Sequence, residues 1–365
     1  MSDQSGSKRC IELPPNTRHL DQGQSRCVQS RRRVVSGLAG MVALASPAAI
    51  HAQASSAAPF PERGRPLRLI VPWGAGGVVD VIGRALASAW DADWGSSTVV
   101  INKPGANGQL GLNELVASRP DGLTIALTHN WDTQISYLDP SAKATYHRGD
   151  FVPVALVQQT GPVVMVRADS PFKSLRDLVA AARSRPDQIT YATSGPRSET
   201  TRIMRLFTQK HGARFNLIPF KDVPSSITAL IGGHLDVAGS NVAVARPHVR
   251  SGVLRVLSAH EVTGQPGLRN PFFPHVPTSR EEGFDIDLIA STGMALPRGT
   301  AEPIVLAWSA AIRRALETDG VRSALHSAGV ATQWLSPQDY AAHWRDAERK
   351  VKAFLEDSGV AVREG

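Results

Sequence analysis

The sequence predicts an α/β protein. Strand-like apolar runs alternate with amphipathic helical patterns from Leu67 to about Leu257. A glycine-rich turn joins the first run to the first helix, and helical periodicity takes over after Leu296. Past its leader the chain keeps roughly 310 residues, enough for two lobes each burying its own core.

The first strand, Leu67 to Val71, runs into Pro72-Trp73-Gly74-Ala75-Gly76-Gly77, and a helix opens with Val78, Val79, Ile82 and Leu86 at helical spacing. Glycines there let backbone N–H groups approach a ligand, and the helix N-terminus adds unpaired donors and partial positive charge, which together form an anion site built from main chain. Further strands are expected at Thr98–Asn102, Leu123–Leu127, Val152–Val157, Val163–Val166, Ile189–Ala192, Phe215–Pro219, Val237–Gly239 and Leu254–Ser258. The alternation argues for parallel sheets. Ser174-Leu-Arg-Asp177 is a capping box ahead of Leu178, Ala181 and Ala182, and Pro186 ends that helix. Helices follow at Thr200–Lys210, Ile304–Leu316 and Val321–Ala328. Ser336-Pro337-Gln338-Asp339 is a second capping box, opening a long helix that ends near Gly359.

The N-terminal region, residues 1–54, reads as an export signal. Ser30-Arg31-Arg32-Arg33 precedes a mildly apolar run, Val34 to Ile50, and then Ala52-Gln53-Ala54. A basic stretch, an apolar stretch and an A-x-A site make a signal peptide cleaved near Ala54, and paired arginines point to the twin-arginine route. The polar character of residues 1–27 raises the alternative of a later start, at Val28. The apolar run is too short and too rich in Gly and Pro to span a bilayer. The mature protein is therefore expected in the periplasm. Both cysteines, Cys10 and Cys27, precede the cut, which excludes a thiol nucleophile, a thiolate metal site and redox chemistry in the mature chain. The chain has 40 basic and 32 acidic residues; the leader holds seven and three of them, leaving 33 and 29, a net +4. That balance suits a small anion, and the lack of a basic stripe interleaved with aromatics argues against nucleic acid.

Five segments carry a family resemblance. Arg65 to Asp80 resembles a strand followed by V-P-[FW]-x-x-G-G-x-x-D, and Asn102-Lys-Pro-Gly-Ala-Asn-Gly-Gln-Leu-Gly111 resembles N-[RK]-P-G-A-x-G-x-x-G. Pro120-Asp-Gly-Leu-Thr124, Leu230-Ile-Gly-Gly-His-Leu-Asp-Val237 and His275-Val-Pro-Thr278 resemble the P-D-G-[YL]-T, L-x-G-G-x-[VL]-D-[VL] and V-P-T segments that follow. In this order they resemble the Bug family of extracytoplasmic solute receptors, the TctC-like binding components of tripartite tricarboxylate transporters, over residues 60 to 362. The resemblance implies a type II periplasmic-binding-protein fold with a ligand cleft between two lobes. Lobe one would hold residues 60–160 plus 290–365, and lobe two residues 161–289, with crossings near Gln158–Pro162 and Leu288–Ser291. It also implies a small carboxylate ligand (a mono- or dicarboxylate, an amino acid or an aromatic acid) and its delivery to membrane permease subunits without catalysis; a monomer suits lobe closure, and no cofactor or metal is expected.

Each half of the cleft has candidate ligand residues. In the first, the amides of Gly74, Ala75, Gly76 and Gly77 would take a carboxylate and Trp73 would wall the pocket; a tight connection with a core tryptophan is the plainer alternative. Asp80 reads as a structural cap of the first helix, and Asn102 to Gly105 as a turn with Lys103 solvated. Asn130 and Trp131 follow a strand at the cleft edge of the sheet, where loops carry ligand groups; Asn130 both donates and accepts. His129 beside them reads as a loop or packing residue, and the eleven scattered histidines disfavour a metal site. In the second half, Ser194, Gly195, Arg197, Ser198 and Thr200 match a loop that, in the family, presents amides and hydroxyls; Ser198 alternatively caps the next helix. Pro196, Arg197 and Glu199 depart from the small residues usual there. Arg197 offers a bidentate partner for a carboxylate, and Glu199 one for an amine or for Arg197. Phe220-Lys221-Asp222 and Asp236 to Asn241 bound the cleft from lobe two; Ser240 and Asn241 follow a strand and are further candidate contacts, whereas Asp236 reads as structural.

Two other functions fit less well. The same fold could sense a ligand for a membrane histidine kinase, which nothing in the residues separates from transport. An exported α/β hydrolase would need G-x-S-x-G, and Thr193-Ser194-Gly195 lacks it.

Overall fold

Strand β1, Leu67–Val71, opens the first of two mixed sheets. The computed structural model describes residues 60–62, 64–193, 198–220, 223–259, 269–286 and 290–363, with the side chain of Glu199 excepted. The leader and both cysteines lie outside them, as do Ser194, Gly195, Pro196 and Arg197 of the second-lobe loop, with Lys221 and Asp222. After β1 come α1 (Val78–Trp94), β2 (Thr98–Asn102), α2 (Gln109–Val116), β3 (Thr124–His129), α3 (Asn130–Leu138), β4 (Phe151–Thr160) and β5 (Val163–Arg167). Next are α4 (Leu175–Ser184), β6 (Thr190–Thr193), α5 (Glu199–His211), β7 (Asn216–Pro219), α6 (Val223–Ile231), β8 (Val237–Ser240), α7 (Val242–Arg250) and β9 (Leu254–Ala259). The chain closes with β10 (Ala290–Pro297), α8 (Glu302–Glu317), α9 (Asp319–Ser327), β11 (Thr332–Leu335) and α10 (Pro337–Asp357).

The first sheet runs β11-β4-β10-β3-β1-β2 and the second β7-β6-β8-β5-β9. Neither is purely parallel, contrary to the parallel sheets expected from the alternation. β1 pairs in parallel with β2 and β3, but β10 is antiparallel to β3 and β4, and β5 is antiparallel to β8 and β9. The cause is the connectivity. The chain leaves the first sheet along β4 and returns to it along β10, so the two crossing strands lie side by side, with Ala290 opposite Thr160 and Thr292 opposite Gln158. Strands β10 and β11 were not expected at all.

Both faces of each sheet are covered, so strand side chains alternate between two cores. On the first sheet, Leu67, Leu69 and Val71 face α1, α8 and α9, whereas Ile70 faces α2, α3 and α10. Trp308 anchors the first core, fully buried, edge-on to Trp90 and Trp94 at 4.8 and 4.9 Å, with its indole N–H donating to the Gly122 carbonyl at 2.9 Å. On the second sheet, Val164 and Val166 pack towards α4 and α5, and Val163 and Met165 towards α6 and α7. The expected caps form: Ser174 Oγ accepts from the Asp177 N–H at 3.1 Å, and Ser336 Oγ from the Asp339 N–H at 3.2 Å. No described helix is long and apolar enough to cross a membrane.

Candidate functional site

A cavity of about 780 Å³ lies between the two sheets, walled by the turns that follow β1, β3 and β8 and by the start of α5, and floored by the crossing strands. Those turns sit where strands hand over to helices, the usual ligand edge of an open α/β sheet.

The β1–α1 turn supplies Trp73, Gly77, Val78 and Val79 to the wall. Asp80 holds this turn together. Its side chain is buried, and one carboxylate oxygen accepts from the Gly76 N–H at 2.9 Å and from Arg84 Nε at 3.0 Å. The other accepts from Asn102 Nδ2 at 2.8 Å, an amide that also donates to the Trp73 carbonyl at 3.2 Å. Burial pushes the Asp80 carboxyl up, but the bonds from Arg84, Gly76 and Asn102 outweigh it and hold the group below its ordinary range. Gly76 reaches Asp80 with φ of 81°, a left-handed conformation that a side chain would strain. Gly77 caps α1 without any side-chain bond, so first-turn amides of α1 remain for a ligand.

Against this turn lies the segment after β2. Ala106 and Asn107 adopt φ of 46° and 60°, uncommon for residues with side chains, and both line the cavity. Gly108 lets the segment press on Trp73, since a Cβ there would sit 3.2 Å from the indole. The NKPG turn is thus both a structural support and the start of a cavity-lining segment, and Lys103 pairs with Glu114 rather than being merely solvated.

Strand β3 continues to His129, and α3 starts at Asn130. That helical start turns Asn130 and Trp131 into the layer behind the wall instead of leaving them on a loop. Asn130 Oδ1 accepts from the Tyr340 hydroxyl at 3.0 Å, which also bonds Thr128 Oγ1 at 2.9 Å. Trp131 packs edge-on against Phe354 at 5.1 Å. His129 and Asp132, which flank them, are the residues that line the cavity. His129 Nδ1 is 3.4 Å from Asp132 Oδ2, its ring meets Trp73 edge-on at 6.1 Å, and Asn107 Nδ2 donates to Asp132 Oδ1 at 3.2 Å.

The second lobe contributes Ser198, Thr200, Ser240 and Asn241. Ser198 Oγ accepts from the Thr201 N–H at 3.3 Å at the start of α5, and Asn241 Oδ1 from the Val244 N–H at 3.0 Å at the start of α7. Both are N-caps as well as wall residues. Asp236 takes the Thr190 N–H and hydroxyl at 2.8 and 2.7 Å, tying β6 to the approach to β8. Gln158, Thr160 and Thr292 come from the crossing strands.

Of the residues singled out in the sequence, the structure brings Trp73, Gly77, Ser198, Thr200, Ser240 and Asn241 together around the cavity. Gly74, Ala75 and Gly76 are exposed in the same turn but outside the wall, and the Gly76 amide is committed to Asp80. Asn107, Asp132 and Thr160 are wall residues that sequence reasoning passed over. The spacing of His129 and Asp132 across one helical turn was a readable signal for the second of them.

Contacts also tie the two lobes beside the cavity. The Arg202 guanidinium lies 4.8 Å from the Trp131 ring centre, Arg205 Nη1 donates to Ser358 Oγ at 2.6 Å, and Arg246 Nη1 donates to the His326 carbonyl, at the end of α9, at 2.9 Å.

Residues 82–360 match the family described as Tripartite tricarboxylate transporter family receptor. The chain is 32% identical over 333 residues to the UPF0065 protein in gbd 5'region of Cupriavidus necator, covering 89% of this chain and 96% of that protein. It is 28% identical to Protein BugT of Bordetella pertussis, covering 82% and 91%. Among solved structures it resembles a ligand-free TctC solute binding protein from Polaromonas, 27% identical with a TM-score of 0.68, covering 82% of this chain and 99% of that one. It also resembles MatC from Rhodopseudomonas palustris with bound malate, 26% identical with a TM-score of 0.68, covering 81% and 100%. The matched family is one of receptors rather than enzymes, and the solved relatives share the two-lobe type II periplasmic-binding-protein fold. With two sheets enclosing one cavity and a match over most of its length, this chain belongs to the tripartite tricarboxylate transporter receptor family.

Proposed function

We propose that the protein is a periplasmic receptor that captures a small organic carboxylate between its lobes and delivers it to the permease of a tripartite tricarboxylate-type transporter. One observation carries the reading. The N-termini of α1, α5 and α7 converge on one cavity, and no lysine or arginine is found among the described residues that line it. Helix starts from both lobes then supply the donors and partial positive charge that a carboxylate needs. MatC, a relative with bound malate, supports the same ligand class.

In this reading lobe one comprises residues 60–160 with 290–365 and lobe two 161–289, in line with the membership of the two sheets. Residues 1–54 act as a twin-arginine signal. A ligand held by both lobes favours their closed arrangement, and the permease recognises that form. Gly77, Ser198, Thr200 and Asn241 present donors to the carboxylate while Trp73 closes one side.

A thermal-shift screen of mono- and dicarboxylates tests this. One or more acids should raise the melting temperature, since ligand at a hundred times its Kd adds about 2.7 kcal/mol. No shift from any acid would overturn the reading.

A further inference from the structure

The wall that faces the helix starts is not neutral. Only two titratable side chains line the cavity among the described residues, His129 and Asp132. The Asp132 side chain is 23% exposed, and among the described residues its carboxylate accepts from the neutral amide of Asn107 and lies 3.4 Å from His129. No lysine or arginine pairs with it among the described residues. Asp80 holds the equivalent third position of α1, but its partner four residues on is Arg84, which takes up its charge. Four residues after Asp132 stands Ser136, whose hydroxyl donates to the Asp132 backbone carbonyl at 2.7 Å, not to the carboxylate.

A carboxylate facing into the cavity repels a second carboxylate and attracts a donor or a cation. Trp73, held edge-on to His129 in the same wall, adds an aromatic surface of the kind that accepts a cationic nitrogen. We infer that Asp132 is a specificity residue: the ligand is an acid that also carries a cationic nitrogen, its carboxylate towards the helix starts and its nitrogen at Asp132. This rests on the carboxylate-receptor reading above and narrows it from organic acids in general to amphoteric ones.

The test uses acids that differ by one amino group: succinate with aspartate, glutarate with glutamate, adipate with 2-aminoadipate, and 3-phenylpropanoate with phenylalanine. Each is titrated calorimetrically into the protein and into Asp132→Asn, which keeps an oxygen for Asn107. The amino member of at least one pair should bind about 10-fold tighter or more to the unaltered protein. Asp132→Asn should erase that preference, weakening the amino acid and leaving the plain acid equal or tighter. Plain acids binding as tightly as their amino partners would overturn the inference while leaving the carboxylate reading intact, as would a variant that weakens both members alike, the mark of a mere helix cap. Binding of no acid at all would overturn both. The comparison within the unaltered protein decides the matter even if Asp132→Asn folds poorly.

Discussion

Strands β1 and β3 lie side by side in parallel, and each hands over to a helix with an aspartate at its third position, Asp80 in α1 and Asp132 in α3. At such a position either carboxylate could satisfy first-turn amides and favour the helix dipole. Asp80 instead turns inward, accepting from the Gly76 amide ahead of the helix, from Arg84 and from Asn102. Asp132 turns to the cavity, with Asn107 and His129 for company. The difference lies in the residue one turn later and in the neighbouring loop. An acid at the start of a helix becomes a structural hub when a cation stands four residues on, and stays available to a ligand when a serine does.

Removing the hub should have the largest effect. Asp80→Ala leaves the Gly76 N–H and the amide of Asn102 without their acceptor and Arg84 without its counter-charge. It should cost about 1–3 kcal/mol in denaturant unfolding and abolish carboxylate binding, because the α1 turn loses its shape. The same residue has a pH signature. Its folded pKa lies below the ordinary 3.8, so its contribution is complete above that value and is lost as pH falls through the lowered one. The melting-temperature gap between the protein and Asp80→Asn should therefore be flat at neutral pH and shrink only below about pH 4.

Next comes the support behind α3. Tyr340→Phe removes the hydroxyl that bonds Asn130 and Thr128. It should destabilise by about 1–2 kcal/mol and weaken ligand binding through α3 alone. An effect as large as that of Asp80→Ala would mean the two turns are equally dependent on buried networks.

Smaller still is the lobe contact. Arg202→Ala deletes the guanidinium over Trp131 and should raise the ligand off-rate roughly two- to fivefold in stopped-flow experiments, with little change in the association rate. The smallest stability change belongs to Asp132→Asn, within about 0.5 kcal/mol of the unaltered protein. A loss comparable to that of Asp80→Ala would erase the distinction between hub and free acid.

Much of this was legible in the sequence where the signal is local. β1 falls on Leu67–Val71 as expected, α1 starts at Val78, and both serine caps form their bonds. What depends on distant partners was not legible. β10, with Gly293 and Pro297 and no clean alternation, is a strand because β3 and β4 flank it. α7 carries Pro247 inside it, which masks its helical period. The start of α3 at Asn130 decided the placement of the β3 turn. With the helix beginning there, Asn130 and Trp131 point to Tyr340 and Phe354, and the neighbours His129 and Asp132 take the wall.

Native mass spectrometry of the protein purified gently from its host tests the central claim most directly. One bound small acid per chain, released on denaturation and with a mass that includes nitrogen, is the expected result. A protein that carries nothing and also fails to gain mass when incubated with the paired acids would contradict the receptor account.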